Sequence, residues 1–297
     1  MTKTRREFLQ TSMALGATAC GTSALRAIEP IARNGHCHMR LSIAAYSYRD
    51  YFSGKLKPQM TMDDYANLAA DMGLDAIEPT AYYFKPTPQF LGKFKARCTK
   101  LGLDISGGAV GNNFCHAEPE KLKDEIAKVK QWIEAYSILG AKTIRIFAGT
   151  MPKGDDPEKT RVRCVAAIEE ACDHAAKYGI LLALENHGGI TATADQILAI
   201  VKAVKHEYFG VNLDTGNFHS ADPYAELAAV APYAVTVQVK TEITRAGQKK
   251  EDADLKRVID ILRQVSYRGY VALEYEAAEE PRAAIPRHVE SLKKLIQ

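Results

Sequence analysis

The sequence has no glycine-rich nucleotide loop. No Gly-x-Gly-x-x-Gly run follows the first apolar strand, and no Walker phosphate loop occurs anywhere along the 297 residues. The backbone cradles that hold dinucleotides and nucleoside triphosphates are therefore missing. Nor is there a Lys/Arg block interleaved with aromatics. Charges of both signs are mixed, the net charge is +3, and nucleic-acid binding is unsupported. Disulfide chemistry is also short of partners. If Cys20 leaves or is lipidated, Cys37, Cys98, Cys115, Cys164 and Cys172 remain, an odd set for a disulfide framework. Cys164 and Cys172 fall on one expected helix, too far apart to bridge, and read as helix packing. The apolar run from Thr11 to Ala19 is too short and too weakly apolar for a membrane span. What remains is an ordinary soluble composition, 46% hydrophobic and 25% charged, in a chain long enough for one sizeable core.

The run from Thr11 follows Thr4-Arg5-Arg6-Glu7-Phe8-Leu9-Gln10. A positive head, an apolar middle and a small-residue exit form an export signal. The paired arginines before Phe-Leu resemble a twin-arginine signal. That implies the twin-arginine translocation machinery as a partner and a periplasmic or other extracytoplasmic location. Residues 1–30 thus read as signal and lead-in. Two exits stay open: cleavage between Ala19 and Ala27, or lipid anchoring through Cys20, although the large aliphatic residue usual three positions before such a cysteine is missing. His36-Cys37-His38 reads as linker.

Residues 39–297 read as one domain. Short apolar strands are expected at Met39 to Tyr48, Leu74 to Glu78, Leu103 to Gly107, Lys142 to Phe147, Ile180 to Leu184, Phe209 to Leu213, Val235 to Val239 and Tyr270 to Leu273. Helical segments separate most of them, and a last helix covers Ala283 to Ile296. Gly73, Gly102, Gly140 and Gly179 each follow a helical pattern, which suits helix C-termini. Gly108 to His116 reads as a loop. Strands alternating with helices imply a parallel sheet. Eight of them fit an α/β fold of the closed (β/α)8 TIM-barrel kind, with an open doubly wound sheet as the alternative.

In such a barrel the carboxyl ends of the strands converge on one mouth. Those ends carry Glu185, Asp214, Gln238 and Glu274. Alternation places His187 on the side of Glu185, Lys240 with Gln238 and Glu276 with Glu274. Crowded carboxylates repel one another, and a divalent cation is the natural compensation. The expected metal ligands are therefore Glu185, Asp214, Gln238 and Glu274, around one Mn2+, Mg2+ or Zn2+ ion.

The motifs Leu184-Glu185-Asn186-His187, Asn212-Leu213-Asp214-Thr215-Gly216-Asn217, Val237-Gln238-Val239-Lys240 and Tyr267-Arg268-Gly269-Tyr270-Val271-Ala272-Leu273-Glu274 resemble the xylose-isomerase-like barrel superfamily. The likeness is strongest to its sugar isomerase/epimerase branch, the D-tagatose 3-epimerase-like proteins, and it covers roughly residues 39–297. It implies a divalent metal held by Glu, Asp, His and Glu. Glu185, Asp214 and Glu274 match, while Gln238 stands where the family usually has His. It also implies two bases, Glu185 and Glu274, that move a proton next to a carbonyl of a sugar or keto-sugar. His187 matches the family's frequent substrate-binding His, and Asn217 lies where several epimerases have a second one. Lys240 is expected to hold developing charge or to pair with Glu276 or Asp214, and Asn112 and Tyr46 to line the mouth. Related epimerases are often homodimers or homotetramers. The same equipment suits a lyase acting on 3-keto-glycosides. Gln238 and Asn217 also leave open a non-catalytic periplasmic carbohydrate-binding barrel.

Overall fold

Each barrel strand alternates a large aliphatic side chain with a small or polar one. In β1 (His38–Ala44), Leu41 and Ile43 alternate with Ser42 and Ala44. The same two-residue period recurs in β5 (Thr143–Ile146), β6 (Leu181–Glu185), β7 (Phe209–Asp214), β8 (Ala234–Val239) and β11 (Arg268–Leu273). Successive strand residues face opposite sides. One side packs against the helices and the other faces the barrel interior. Ser42 and Ser106 meet there through their hydroxyls at 2.7 Å. The aliphatic side joins the helices in one hydrophobic core that includes Leu41, Ile77, Ile144, Leu182, Leu213 and Val271.

The computed structural model describes residues 28–297. The export-signal reading of residues 1–27 and the anchoring of Cys20 lie outside the described residues. With β2 (Ala76–Glu78), β3 (Asp104–Ile105) and β4 (Gly108–Ala109), the parallel strands pair in the order β3-β2-β1-β11-β8-β7-β6-β5-β4. Strands β3 and β4 are successive pieces of one interrupted strand, so the architecture is the expected α/β barrel, nearly closed. The seam is bridged by a parallel pairing of Thr80 with Ala109. The Tyr136 hydroxyl reinforces it, donating to Pro79 O at 2.8 Å and accepting from Ala109 N at 3.3 Å. Gly108 permits this approach: a Cβ there would lie 2.3 Å from the Tyr136 ring. The sequence pattern puts Gly108 and Ala109 in a loop, because two small residues carry no alternation. In the fold they complete the third strand.

Helices connect the strands: α1 (Arg49–Phe52), α2 (Met62–Asp71), α3 (Pro88–Lys100), α4 (Pro119–Leu139), α5 (Pro157–Ala176), α6 (Ala194–Ala203), α7 (Pro223–Val230), α8 (Leu255–Gln264) and α9 (Pro281–Ile296). Their starts follow local chemistry. Thr61 and Asp64 form a reciprocal capping box at α2, as do Thr193 and Gln196 at α6. Gly140 closes α4 at φ 90°, a left-handed position that glycine fills without a Cβ penalty. Two local elements depart from the expected layout. The first strand ends at Ala44 and turns into a short 3-10 helix, Ala45–Tyr48. Beyond β8 the chain forms a hairpin of β9 (Glu242–Thr244) and β10 (Lys250–Asp252) beside the mouth. No helix among the described residues is long and apolar enough to cross a membrane.

Candidate active site

The interior-facing residues at the strand ends form a buried polar network. Glu185 ends β6, Asp214 ends β7, Gln238 lies near the end of β8 and Glu274 follows β11. All four are buried. Residues Asp214, Gln238 and Ala272 lie side by side in the register of their strands. The strand ends named from the sequence thus share one mouth.

Two residues that the sequence argument passed over complete the network. Glu78, at the end of β2, accepts a hydrogen bond from Gln238 Nε2 at 2.6 Å, and Asn212 Nδ2 donates to Gln238 Oε1 at 2.6 Å. Both ends of the Gln238 amide are therefore engaged. Arg145, inside β5, places Nε 2.9 Å from Glu185 Oε2 and donates to Val110 O at 3.0 Å. Its guanidinium lies 3.9 Å from the centre of the Phe147 ring. Each had a readable signal: Glu78 is a strand-end carboxylate like the others, and Arg145 is a charge inside an otherwise apolar strand.

Each candidate base has its own partners. Glu185 takes the Arg145 charge on one oxygen and a hydrogen bond from Asn217 Nδ2 at 3.0 Å on the other. Glu274 accepts from Lys240 Nζ at 2.5 Å. The same ammonium reaches Glu276 at 2.7 Å and lies 3.4 Å from Asp214 Oδ2. Gly216 lets it through, because a Cβ there would sit 2.6 Å from Lys240 Cγ. His187 is exposed at the mouth, with its ring centre 4.5 Å from that of Phe147. Asn112 lines the same cavity as His187, about 300 Å3 in volume. Its amide is occupied by both backbone groups of Phe147, at 2.8 and 2.9 Å, so it braces the end of β5. Tyr46 is half-buried at the rim, under the Arg49 guanidinium at 5.3 Å.

The electrostatics follow from burial. Burial raises Glu78 to about 7, and the nearby Glu274 charge adds to the effect. Burial likewise lifts Asp214 to about 7 against the pull of Lys240. It pushes Glu185 well above the usual carboxylate range despite Arg145, with Asp214 and Glu274 adding repulsion. Glu274 moves the other way: burial opposes its charge, but the Lys240 ammonium and its hydrogen bond hold it low. Burial and the Arg145 and Lys240 charges lower His187.

Two cations face Glu78, Glu185, Asp214, Glu274 and Glu276 across this network. Negative charge is in surplus, and Asp214 Oδ2 is buried without a hydrogen bond. An oxygen-only donor set with excess negative charge suits a hard divalent cation, so the residues fit such an ion in charge and donor type. They are not preassembled around one. Among the described residues no three acidic, histidine or cysteine side chains converge as a metal nest. Lys240 and Arg145 stand against the carboxylates instead.

The model for xylose isomerase-like TIM barrels matches residues 66–295. The chain belongs to this family. Family membership agrees with the nearly closed parallel barrel. The chain is similar in fold to an L-ribulose 3-epimerase, at 19% identity and TM-score 0.70 over 87% of this chain and 94% of the other. It is also similar to a 3-keto-D-glucoside 4-epimerase from E. coli, at 16% identity and TM-score 0.68 over 87% and 99% of the two chains. A probable 3-DHS dehydratase from Bacillus anthracis aligns at 16% identity and TM-score 0.66 over 86% and 99%. No match was found among curated proteins.

Proposed function

We propose that this member of the xylose isomerase-like family is a divalent-metal-dependent sugar isomerase or epimerase acting on a sugar or keto-sugar. The observation that carries the reading is the separate fixing of two buried carboxylates. Glu185 is held by Arg145 and Asn217, and Glu274 by Lys240. Two strands, β7 and β8, lie between theirs in the barrel, so the carboxylates approach a bound sugar from different sides. One would remove a proton beside the carbonyl and the other return one. Lys240 would follow the charge that develops nearby, while His187 and Asn217 hold hydroxyls. A divalent ion held by Glu185, Asp214, Gln238 and Glu274 would supply the positive charge that polarises the carbonyl. The family's epimerase neighbours support the reaction class, and the paired arginines of the leader support an extracytoplasmic address.

The test is product NMR in D2O with free, phosphorylated and 3-keto sugars, after EDTA dialysis and with Mn2+, Mg2+ or Zn2+ restored. Metal-stimulated incorporation of deuterium beside the carbonyl, with the carbon skeleton intact, is the expected result. Release of an aglycone would move the assignment to a lyase. Sugar binding without exchange under every metal condition would leave a carbohydrate-binding barrel.

A further inference from the structure

We infer that the groove running outward from Lys240 and Glu276 is a subsite for a second, uncharged sugar unit, so that the substrate is a keto-glycoside rather than a free or phosphorylated monosaccharide; this rests on the sugar-isomerase reading above.

Two cavities, of about 230 and 550 Å3, adjoin at the mouth. The smaller one begins at Asn217 and Lys240, the residues that hold Glu185 and Glu274. Both are walled by Glu242, Lys250, Glu276 and Ala277, and the larger continues to Arg49 and Lys55. Small-ligand pockets run to roughly 300–1,000 Å3, so the inner cavity alone is small for a ligand and the two together are ample. The path leads from the reacting centre to a place where the rest of a longer molecule would lie.

The walls are built. The β9–β10 hairpin is pinned to the loop after β7, with Ala246 N donating to Ser220 O at 2.9 Å and Arg245 to Ala221 O at 3.3 Å. The opposite wall is tied by Arg49, which donates to Tyr275 O and Glu276 O at 3.0 and 3.4 Å.

The lining charge selects the ligand. Lys55 pairs with Asp50 at 3.0 Å, Lys250 with Glu242 at 3.3 Å and Lys240 with Glu276 at 2.7 Å. Arg49 keeps its charge but points its donors at backbone carbonyls. On the far side Glu279 is paired with Arg287 at 2.6 Å, and Glu280 adds a further carboxylate. A phosphate or carboxylate entering here would meet lysines already neutralised and acids that repel it. Sugar hydroxyls both donate and accept, and rows of alternating ammonium and carboxylate offer them both kinds of partner.

The test compares binding by ligand-detected NMR and turnover for 3-keto-glucose, its 6-phosphate and a panel of α- and β-linked 3-keto-disaccharides, using the full chain with Mn2+. At least one disaccharide is expected to exceed 3-keto-glucose in kcat/KM by about tenfold or more, equivalent to about 1.4 kcal/mol, and the phosphate to be the poorest. Ala277→Trp fills the groove from one wall and Thr244→Trp from the hairpin. Either variant, if its circular dichroism and melting match the parent, is expected to collapse the disaccharide-to-monosaccharide ratio toward one. A ratio near one in the parent, a ratio unchanged in the folded variants, or preference for the phosphate would overturn the subsite while leaving the isomerase reading intact. Failure of every sugar to bind or react would overturn both.

Discussion

Gln238 reaches across the barrel to Glu78, its amide nitrogen 2.6 Å from the carboxylate oxygen, although β1 and β11 separate their strands in the sheet order. The contact ties together opposite parts of the interior. The Gln238 donor favours the ionised form of Glu78, but burial outweighs it and makes that ionisation costly.

That cost is measurable as a pH dependence. Glu78 is raised from 4.5 to about 7. Below the unfolded value both states are protonated and the group contributes nothing. Between 4.5 and about 7 the unfolded chain ionises first, so the folded state loses stability. Above about 7 the whole penalty, on the order of 3 kcal/mol, is present. Glu78→Gln removes the charge but keeps an acceptor for Gln238. Urea unfolding in EDTA is expected to find this variant more stable than the parent at pH 8, with the advantage fading toward pH 4.5. An equal difference at both pH values would mean that Glu78 does not titrate in this range.

Lys240 is the shared counter-charge of Glu274, Glu276 and Asp214. Lys240→Met keeps much of the stem and removes the ammonium. Breaking a buried pair from one side costs about 3–5 kcal/mol, and the metal-free variant is expected to melt correspondingly lower. Calorimetric titration with Mn2+ should also show tighter binding than in the parent, because the ammonium no longer competes for the carboxylates. Unchanged metal affinity would show that Lys240 and the ion occupy different places.

Glu185→Gln and Glu274→Gln remove one proton-carrying group each while preserving shape. General acid–base groups contribute about 10²–10⁴-fold. Each variant is expected to lose turnover in that range, with deuterium exchange falling in parallel. Full turnover in either would remove that residue from the two-base assignment.

Gly216 is required by the path of the Lys240 stem. In Gly216→Ala the new Cβ would lie 2.6 Å from Lys240 Cγ and 2.9 Å from Glu242 O. Overpacking of this kind costs about 1–3 kcal/mol. A lower melting temperature and a lower kcat should appear together, since the displaced side chain is the partner of Glu274. A loss of stability with kcat intact would detach the Lys240 position from turnover.

The barrel was legible because helix ends, apolar strands and terminal carboxylates repeat with a regular period. Asp214, Gln238 and Lys240 could be placed in one mouth from strand alternation alone. Arg145 escaped because a single charge inside Thr143–Ile146 looks like a flaw in an apolar strand until Glu185 is seen beside it. Glu78 carried the same strand-end signal as the other carboxylates, but its contact with Gln238 on a distant strand did not show, because no local pattern encodes a contact across a barrel. The split third strand escaped for a similar reason. Gly108 is defined by the Tyr136 ring pressed against it, not by its neighbours in the chain. The engagement of the Gln238 amide at both ends also needed coordinates, because residue identity does not tell which way an amide is used.

The alternation along each strand separates two tasks that most cores combine. Cohesion is carried by the outward aliphatic residues, such as Ile43, Leu184 and Leu213, which meet the helices. Chemistry is carried by the inward residues one position away. Exchanging an inward polar side chain for another therefore leaves the annulus of apolar packing untouched. A scaffold partitioned in this way confines the cost of re-equipment to the interior polar network, where paired residues must change together.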